Sequence, residues 1–246
     1  MWVLGIETAT ASQSVALLHD QEVLAEASWS GTDTRSGKLL PMIDSVLQKA
    51  GLVPRSIDLI AVSVGPGSFT GVRVGLATAK GLVLGTNALL VGVSTLEALA
   101  AGYDVLPNGT LCALLHAGRG ELYAALYSRG DSQLQPICPE AVLSPEAVAS
   151  MALALVQGDI HLIGDGVVRY RDRLEAAFQG RGRITERGLS AVPSATTVAR
   201  LAFGRMQGAS AAKDIMPVYL RRAEAELNWE KGLVGSPLSR LAKAAR

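Results

Sequence analysis

The segment Ser63–Gly85 reads SVGPGSFTGVRVGLATAKGLVLG, and its pattern predicts a strand, a tight turn and a helix in succession. It overlaps an apolar run, Ile57–Val64, which has the length and composition of a buried strand. Pro66 fixes φ between two glycines, which favours a pre-set turn. Either Ser68 or Thr70 is placed to cap the helix that follows. A turn at a helix N-terminus offers backbone N–H groups to an anion or to a neighbouring backbone.

The helix after this turn carries small residues at a regular spacing. Gly71, Gly75 and Ala79 recur every four residues, and the helix is predicted to continue to about Leu84. Each interior glycine costs about 1 kcal/mol relative to alanine, so the repetition calls for a structural reason. We expect the close approach of another helix, because small residues let two helix backbones pack closely.

A second apolar helix is predicted over Lys38–Ala50, with its large apolar residues on one side. Gly51 and Pro54 mark its end. Two interpretations of the two helices remain open. Both are core helices that cover a sheet, or one side of each is left for a partner. If these two helices pack against an equivalent pair from another subunit, the four helices form a bundle, as in a homodimer or a heterodimer.

Composition excludes several classes of protein. The 246 residues fit one large domain or two small ones. A net charge of +1 gives no strong electrostatic footprint for nucleic acid. The two cysteines, Cys112 and Cys138, are too few for a disulfide scaffold and fit a reducing compartment. The N-terminus, MWVLGIETAT, lacks the basic region of a signal peptide, so we expect a cytoplasmic location.

Strand patterns open two similar stretches of the chain. Three strands are predicted first, at Val3–Glu7, Ser14–Leu18 and Val23–Trp29. A second opening follows at Leu111–His116 and Glu121–Ser128. Further elements are predicted at Leu89–Val93 (strand), Pro145–Val156 (helix), Ile160–Ile163 (strand), Val167–Phe178 (helix) and Thr196–Met206 (helix). This order predicts an α/β fold with two related halves and a mixed sheet in each.

Glycine-rich motifs of known chemistry come close but do not match. Gly31–Lys38, GTDTRSGK, has the wrong spacing for a P-loop, and Leu39 stands where Ser or Thr would bind Mg²⁺. Gly65–Gly71 matches neither a dinucleotide fingerprint nor a nucleophile elbow. A turn that permits tight strand–helix packing is the favoured interpretation, ahead of anion binding. The residues considered for a nucleotide or phosphate are Glu7, Thr8, Gly65, Gly67 and Ser68.

The three histidines, His19, His116 and His161, form no pair at the spacing of helical metal ligands, and no nucleophilic triad is visible. His116 ends a strand before a glycine turn, a place where active sites of α/β proteins often lie. A lone histidine there is still more often structural. The basic run Arg169–Arg187 is offset by acidic residues. It fits a solvated face or, at most, an auxiliary contact with nucleic acid.

Four segments, in order along nearly the whole chain, resemble the TsaB family, also called YeaZ. They are IETAT at Ile6–Thr10, GPGSFTGVRVGLATAKGL at Gly65–Leu82, GVSTLEALA at Gly92–Ala100 and PVYLRRAEA at Pro217–Ala225. The resemblance implies the fold of actin-like ATPases (ASKHA), which consists of two ribonuclease-H-like halves. These halves would cover 1–104 and 105–222, with the last helix packed back on the first half and a tail at 223–246.

In function, the resemblance implies a non-catalytic subunit. TsaB-family proteins bind TsaD, which transfers the threonylcarbamoyl group to the adenosine beside the anticodon of tRNAs that read codons starting with A. The ATPase TsaE joins the complex, which uses ATP, and no cofactor is expected on this chain itself. TsaD carries a metal-binding His-x-x-x-His motif that this sequence lacks. A protease and a nucleotide-binding ATPase of the same superfamily remain as alternatives.

The resemblance places the TsaD contact on two helices, about Gly37–Ala50 and Thr70–Leu84, and the same face forms homodimers when TsaD is absent. The expected contact residues are Leu39, Leu40, Ile43, Val46, Leu47, Gly71, Val72, Arg73, Gly75, Leu76, Ala79 and Leu82. The sequence departs from the family pattern at Thr34–Gly37 and at His116–Arg119. Both departures weaken any nucleotide-related role for those positions.

Overall fold

The computed structural model describes residues 1–31, 37–104, 108–130, 133–205 and 214–221. Thr34–Ser36, most of the P-loop-like stretch and the tail predicted at 223–246 lie outside the described residues. The N-terminal half contains the strands β1 (Trp2–Glu7), β2 (Ser12–His19), β3 (Glu22–Ser30), β4 (Leu59–Gly65) and β5 (Leu89–Ser94). They form a mixed sheet in the order β3-β2-β1-β4-β5. β2 is antiparallel to its two neighbours, whereas β1, β4 and β5 run parallel.

Two helices cover one face of this first sheet. They are α1 (Leu39–Lys49), which lies over β2 and β3, and α2 (Phe69–Leu84), which lies mainly over β4. The inner sides of both helices share one hydrophobic core with the sheet. Ser68 is the N-cap of α2, because its hydroxyl oxygen accepts a hydrogen bond from the Gly71 N–H at 3.3 Å. The structure thus selects Ser68 over Thr70 as the cap. A single 3₁₀ turn, Pro54–Ser56, follows α1.

The C-terminal half repeats the same strand order. Its strands are β6 (Gly109–Gly118), β7 (Glu121–Gly130), β8 (Gln133–Pro136), β9 (Ala141–Leu143), β10 (Ile160–Ile163) and β11 (Gly182–Ile184). The order is β11-β10-β6-β7-β8, with β9 also paired to β7. Again the second strand is antiparallel to the first, and the strand on the other side of the first is parallel to it. This duplication confirms the predicted α/β fold class with two related, ribonuclease-H-like halves.

Helices between and outside the sheets complete the fold. The helix α3 (Thr95–Gly102) connects β5 to β6. On the outer face of the second sheet lie α4 (Pro145–Leu155), α5 (Asp165–Arg169) and α6 (Arg171–Phe178), which enclose a core with the strands. The short α7 (Glu186–Leu189) precedes α8 (Ala195–Phe203). α8 returns to the first sheet and covers the face opposite α1 and α2.

The two sheets are joined through α3. Leu96, Leu99 and Tyr103 pack into the core on the inner face of the second sheet. Ala98 of the same helix packs into the core that α8 forms with the first sheet. One helix therefore contributes to both cores.

The structure corrects one sequence prediction and adds elements that the sequence did not indicate. The single helix predicted over Val167–Phe178 is wrong, because Tyr170 leaves helical geometry (φ −121°, ψ 27°) and separates α5 from α6. The sequence analysis also did not anticipate β8, β9, β11 and α7. These elements are three or four residues long, too short for a hydrophobic period to develop. Among the described residues, no helix has both the length and the apolarity that crossing a bilayer requires.

Candidate partner face and interdomain cleft

The inner side of α2 rests on the loop between β1 and β2. The Thr8 hydroxyl donates a hydrogen bond to the Gly71 carbonyl oxygen at 2.8 Å. A β-carbon on Gly71 would overlap the Thr8 carbonyl oxygen, and one on Gly75 would overlap the Thr8 hydroxyl oxygen. The glycines therefore allow the β1–β2 loop of the same chain to pack closely against α2. Within the chain, the expectation that another helix approaches these glycines is wrong.

Most of the residues expected to contact a partner lie inside the chain. Nine of them are buried because they form the sheet-facing side of α1 and α2: Leu39, Ile43, Val46, Leu47, Gly71, Val72, Gly75, Leu76 and Ala79. Leu82 is partly buried against the same core. Only Leu40 and Arg73 of the expected set are exposed. The nine buried residues thus expose little surface, and their part in a partner contact stays a prediction.

The opposite side of α2 is exposed and carries a second row of residues, two of which are small. Arg73, Ala77 and Gly81 recur every four residues and are exposed, and Leu84 is 88% exposed. Leu40 on the neighbouring α1 is 60% exposed. We call these five residues the outer helix face. Ala77, Gly81 and Leu84 were not among the contact residues expected from the sequence, although Ala77 and Gly81 have the same four-residue spacing as the buried row.

A cleft of about 690 Å³ lies between the two halves. Its first wall consists of the β1–β2 loop and the N-terminus of α2, including Thr10, Gly67 and Ser68. Its second wall is the β6–β7 turn with His116 and Arg119. In each half the wall follows the first strand of the sheet, so the duplicated topology creates the cleft. Tyr219 and Arg221, from the segment Asp214–Arg221, also line it.

Glu7 and Thr8, which were considered for a phosphate, face the protein interior. Both are fully buried. One Glu7 carboxylate oxygen accepts the Ala9 N–H at 2.6 Å, and the other accepts the Ser63 hydroxyl. Burial raises the pKa of Glu7 to about 7, although these hydrogen bonds act in the opposite direction. Both side chains thus hold the β1–β2 loop in place.

The other three residues considered for a phosphate, Gly65, Gly67 and Ser68, lie at the turn between β4 and α2. Gly65 has a φ of +103° and lies beneath Val218, whose carbonyl oxygen would be 2.7 Å from a β-carbon at Gly65. Gly67 and Ser68 line the cleft. A phosphate site at this turn stays a prediction that would depend on Gly67 and Ser68.

His116 is held by two residues of the C-terminal half. Its backbone N–H donates to Asp165 Oδ1 at 3.0 Å, and its ring Nδ1 lies 3.1 Å from the Tyr170 hydroxyl. Burial and the neighbouring Arg169 lower the pKa of His116, and Asp165 acts against them. Within the described ranges, no three His, Cys, Asp or Glu side chains are grouped to hold a metal ion.

The basic run Arg169–Arg187 is largely neutralised by acidic partners. The ion pairs, all between exposed side chains, are Arg171–Glu175, Arg173–Glu146, Arg183–Asp159 and Arg187–Asp104, at 2.7–2.8 Å. Arg181 donates to the Val156 and Gly158 carbonyl oxygens. The arrangement is that of a solvated face.

Comparisons with known proteins place the chain in a family. The family model described as TsaD: tRNA N6-adenosine threonylcarbamoyltransferase matches residues 29–229. The tRNA threonylcarbamoyladenosine biosynthesis protein TsaB of Haemophilus influenzae is 31% identical over 241 residues, 93% of this chain and 96% of that one. The chain belongs to the TsaB branch of the TsaD family.

Other TsaB relatives agree over similar lengths. TsaB of Bacillus subtilis is 29% identical over 232 residues, 93% of this chain and 98% of that protein. The solved structure of YeaZ from Pseudomonas aeruginosa superposes on this TsaB-family chain with a TM-score of 0.75. It has 28% sequence identity and covers 89% of this chain and 99% of that one.

Proposed function

We propose that this chain takes part in tRNA threonylcarbamoyladenosine formation as a non-catalytic subunit that binds TsaD through the outer helix face. TsaB relatives that match over nearly their whole length carry that biosynthetic process in their names, which supports the role. The match to the TsaD family model is consistent with a TsaD partner.

The outer helix face is the observation that carries the proposal. Ala77 and Gly81 are exposed and have short or absent side chains, so a partner helix can approach the backbone of α2 closely. Leu40 and Leu84 flank them with apolar surface that gains stability when a partner covers it. With α1 and α2 side by side on one face of the sheet, two helices from a partner complete a four-helix bundle.

A supporting role is consistent with how the polar side chains at the end of β1 are used. The polar atoms of Glu7 and Thr8 form hydrogen bonds with Ser63, Ala9 and Gly71. These bonds hold the β1–β2 loop in place. The catalytic step would then belong to TsaD, with TsaE and ATP acting on the assembled complex and tRNA bound through it. The half that covers 1–104 would carry the partner face, and the half that covers 105–222 would complete the fold.

The experiment uses a substitution on the exposed row. Ala77→Arg places a long charged side chain where the partner helix must approach, and it disturbs no internal contact because Ala77 is exposed. We expect the wild-type chain to form a complex with TsaD of the same organism in size exclusion with light scattering. Ala77→Arg is expected to weaken this complex by at least tenfold and to lower tRNA modification in the reconstituted system to the same degree.

Val168→Arg is the matched control, since Val168 is an exposed apolar residue of α5 in the other half. It is expected to bind TsaD like wild type, and both variants are expected to keep the wild-type melting temperature. A wild-type chain that does not associate with TsaD contradicts the proposed partnership. If Ala77→Arg binds as well as Val168→Arg, the partner face lies elsewhere.

A further inference from the structure

The segment Asp214–Arg221 crosses from the first half of the molecule to the second at the cleft. We propose that it is a strap that fixes the opening of the cleft, anchored in the first half and held to the second half by Arg221. α3 joins the halves between the two sheets, whereas the strap joins them at the cleft itself.

The anchor in the first half combines a backbone bond with apolar burial. The Val218 N–H donates to the Val64 carbonyl oxygen at the end of β4, at 2.7 Å. Ile215 is buried in the core beneath α1 and α2. Gly65 leaves room for the strap, because a β-carbon there would press on the Val218 carbonyl oxygen. These contacts are those of a segment built into the first half.

Within the described part of the chain, Arg221 holds the strap to the second half. Arg221 Nη1 donates to the Ala117 carbonyl oxygen at 2.7 Å, and its Nη2 lies 3.4 Å from Glu121 Oε2. The two partners stand at the two ends of the β6–β7 turn, whose tip residues Arg119 and Gly120 both have positive φ. The planar fork of an arginine can hold both ends at once, which a lysine cannot.

The strap also touches α2. The Tyr219 hydroxyl accepts a hydrogen bond from Arg73 Nε at 2.7 Å, and the Arg73 guanidinium lies 3.6 Å from the centre of the Phe69 ring. Because Arg73 belongs to the outer helix face, the strap connects that face to the second half. Any effect of TsaD on the cleft depends on the proposed function, but the strap itself does not.

Hydrogen exchange of the full chain, without any partner, tests the strap. Arg221→Ala removes the contacts between the strap and the β6–β7 turn. We expect hydrogen exchange to become about tenfold faster at the Val218 amide and in the peptide that covers the turn. This is the change expected when one hydrogen bond to a charged group is lost. Small-angle scattering is expected to show a larger radius of gyration for this variant. Arg221→Lys keeps the positive charge but loses the planar guanidinium group. Its exchange rates and radius of gyration are expected to lie between those of wild type and Arg221→Ala.

Arg183→Ala is the matched control, because Arg183 forms an exposed ion pair with Asp159 inside the second half. It is expected to leave exchange at Val218 and the radius of gyration unchanged. The proposal is overturned if Arg221→Ala exchanges like wild type at Val218 and at the turn, or if Arg183→Ala produces the same acceleration. If Arg221→Ala does not fold, the comparison of Arg221→Lys with wild type decides in the same way.

Discussion

The hydroxyl oxygen of Thr8 fills the space that a β-carbon on Gly75 would need. Helix α2 can approach the β1–β2 loop this closely because the position has no side chain. The same hydroxyl binds the Gly71 carbonyl oxygen, so one threonine fixes the helix against the loop at two successive turns. The loop in turn forms one wall of the cleft.

Gly75→Ala is therefore expected to destabilise the protein. The added methyl group would displace Thr8 or shift α2, and such overpacking typically costs about 1–3 kcal/mol. The higher helix propensity of alanine would recover part of this cost. The free energy of unfolding, measured by urea denaturation with circular dichroism, checks the prediction.

Gly81→Ala is the control on the same helix. A β-carbon at Gly81 has no neighbour within 4 Å, so only the helix propensity changes. We expect this variant to gain about 0.5–1 kcal/mol. Equal effects of the two substitutions would show that Thr8 yields freely and that the close packing carries no energy.

Glu7 is expected to make stability depend on pH. Its pKa rises from 4.5 to about 7 on folding, so the folded state holds the proton more tightly than the unfolded state does. The stabilisation from this group is complete below about pH 4.5 and is lost as the pH rises through 7. Over this window the loss is on the order of 3 kcal/mol.

Glu7→Gln isolates this effect, because the amide has the same shape and does not titrate. Unfolding free energies measured from pH 4.5 to 8 are expected to show wild type losing stability relative to the variant up to about pH 7, with a constant difference above it. If the difference in unfolding free energy between wild type and Glu7→Gln does not change across this pH range, Glu7 is charged in the folded protein.

Ser68→Ala is expected to destabilise the helix start. The Ser68 hydroxyl caps the Gly71 N–H, and the loss of an N-cap side chain typically costs about 1 kcal/mol. Thr70→Ala, on the first turn and exposed, is expected to change the unfolding free energy by less than about 0.5 kcal/mol. Thermal and urea unfolding of both variants distinguish the two residues, and a larger loss at Thr70 would reassign the cap.

Gln13 is expected to lower the stability of the fold. Its side chain is fully buried on β2, and among the described residues neither its amide nitrogen nor its amide oxygen has a hydrogen-bond partner. Gln13→Met keeps the length and removes the unpaired polar atoms, so a gain of about 1–3 kcal/mol is expected. Gln48→Met, at an exposed position where the amide bonds to Asp44, is expected to gain nothing. A Gln13→Met variant that is less stable than wild type would contradict the prediction.

The sequence predicted the fold class because its signals are local. The glycine turn, the cap and the apolar strand all lie within Ser63–Gly85, and each acts on its neighbours in the chain. Strands of similar order open both stretches, at Val3–Trp29 and at Leu111–Ser128, so the two related halves could be anticipated. The short edge strands β8 and β9 carry too few residues for such a pattern.

The side of α2 that faces outward could not be predicted. Gly71, Gly75 and Ala79 have the same four-residue spacing as Ala77 and Gly81, so small residues recur on two sides of one helix. What distinguishes them is Thr8, which is 63 residues from Gly71 in the chain. The environment of Glu7 was hidden for the same reason, because its partner Ser63 lies 56 residues away.

The position of α3 has a consequence for how the molecule comes apart. Leu96, Leu99 and Tyr103 are buried against one sheet and Ala98 against the other, all within eight residues. A cut between the halves, at 104, would leave three large apolar side chains facing water on one fragment and an open core on the other. We therefore expect the two halves to unfold together, in a single transition.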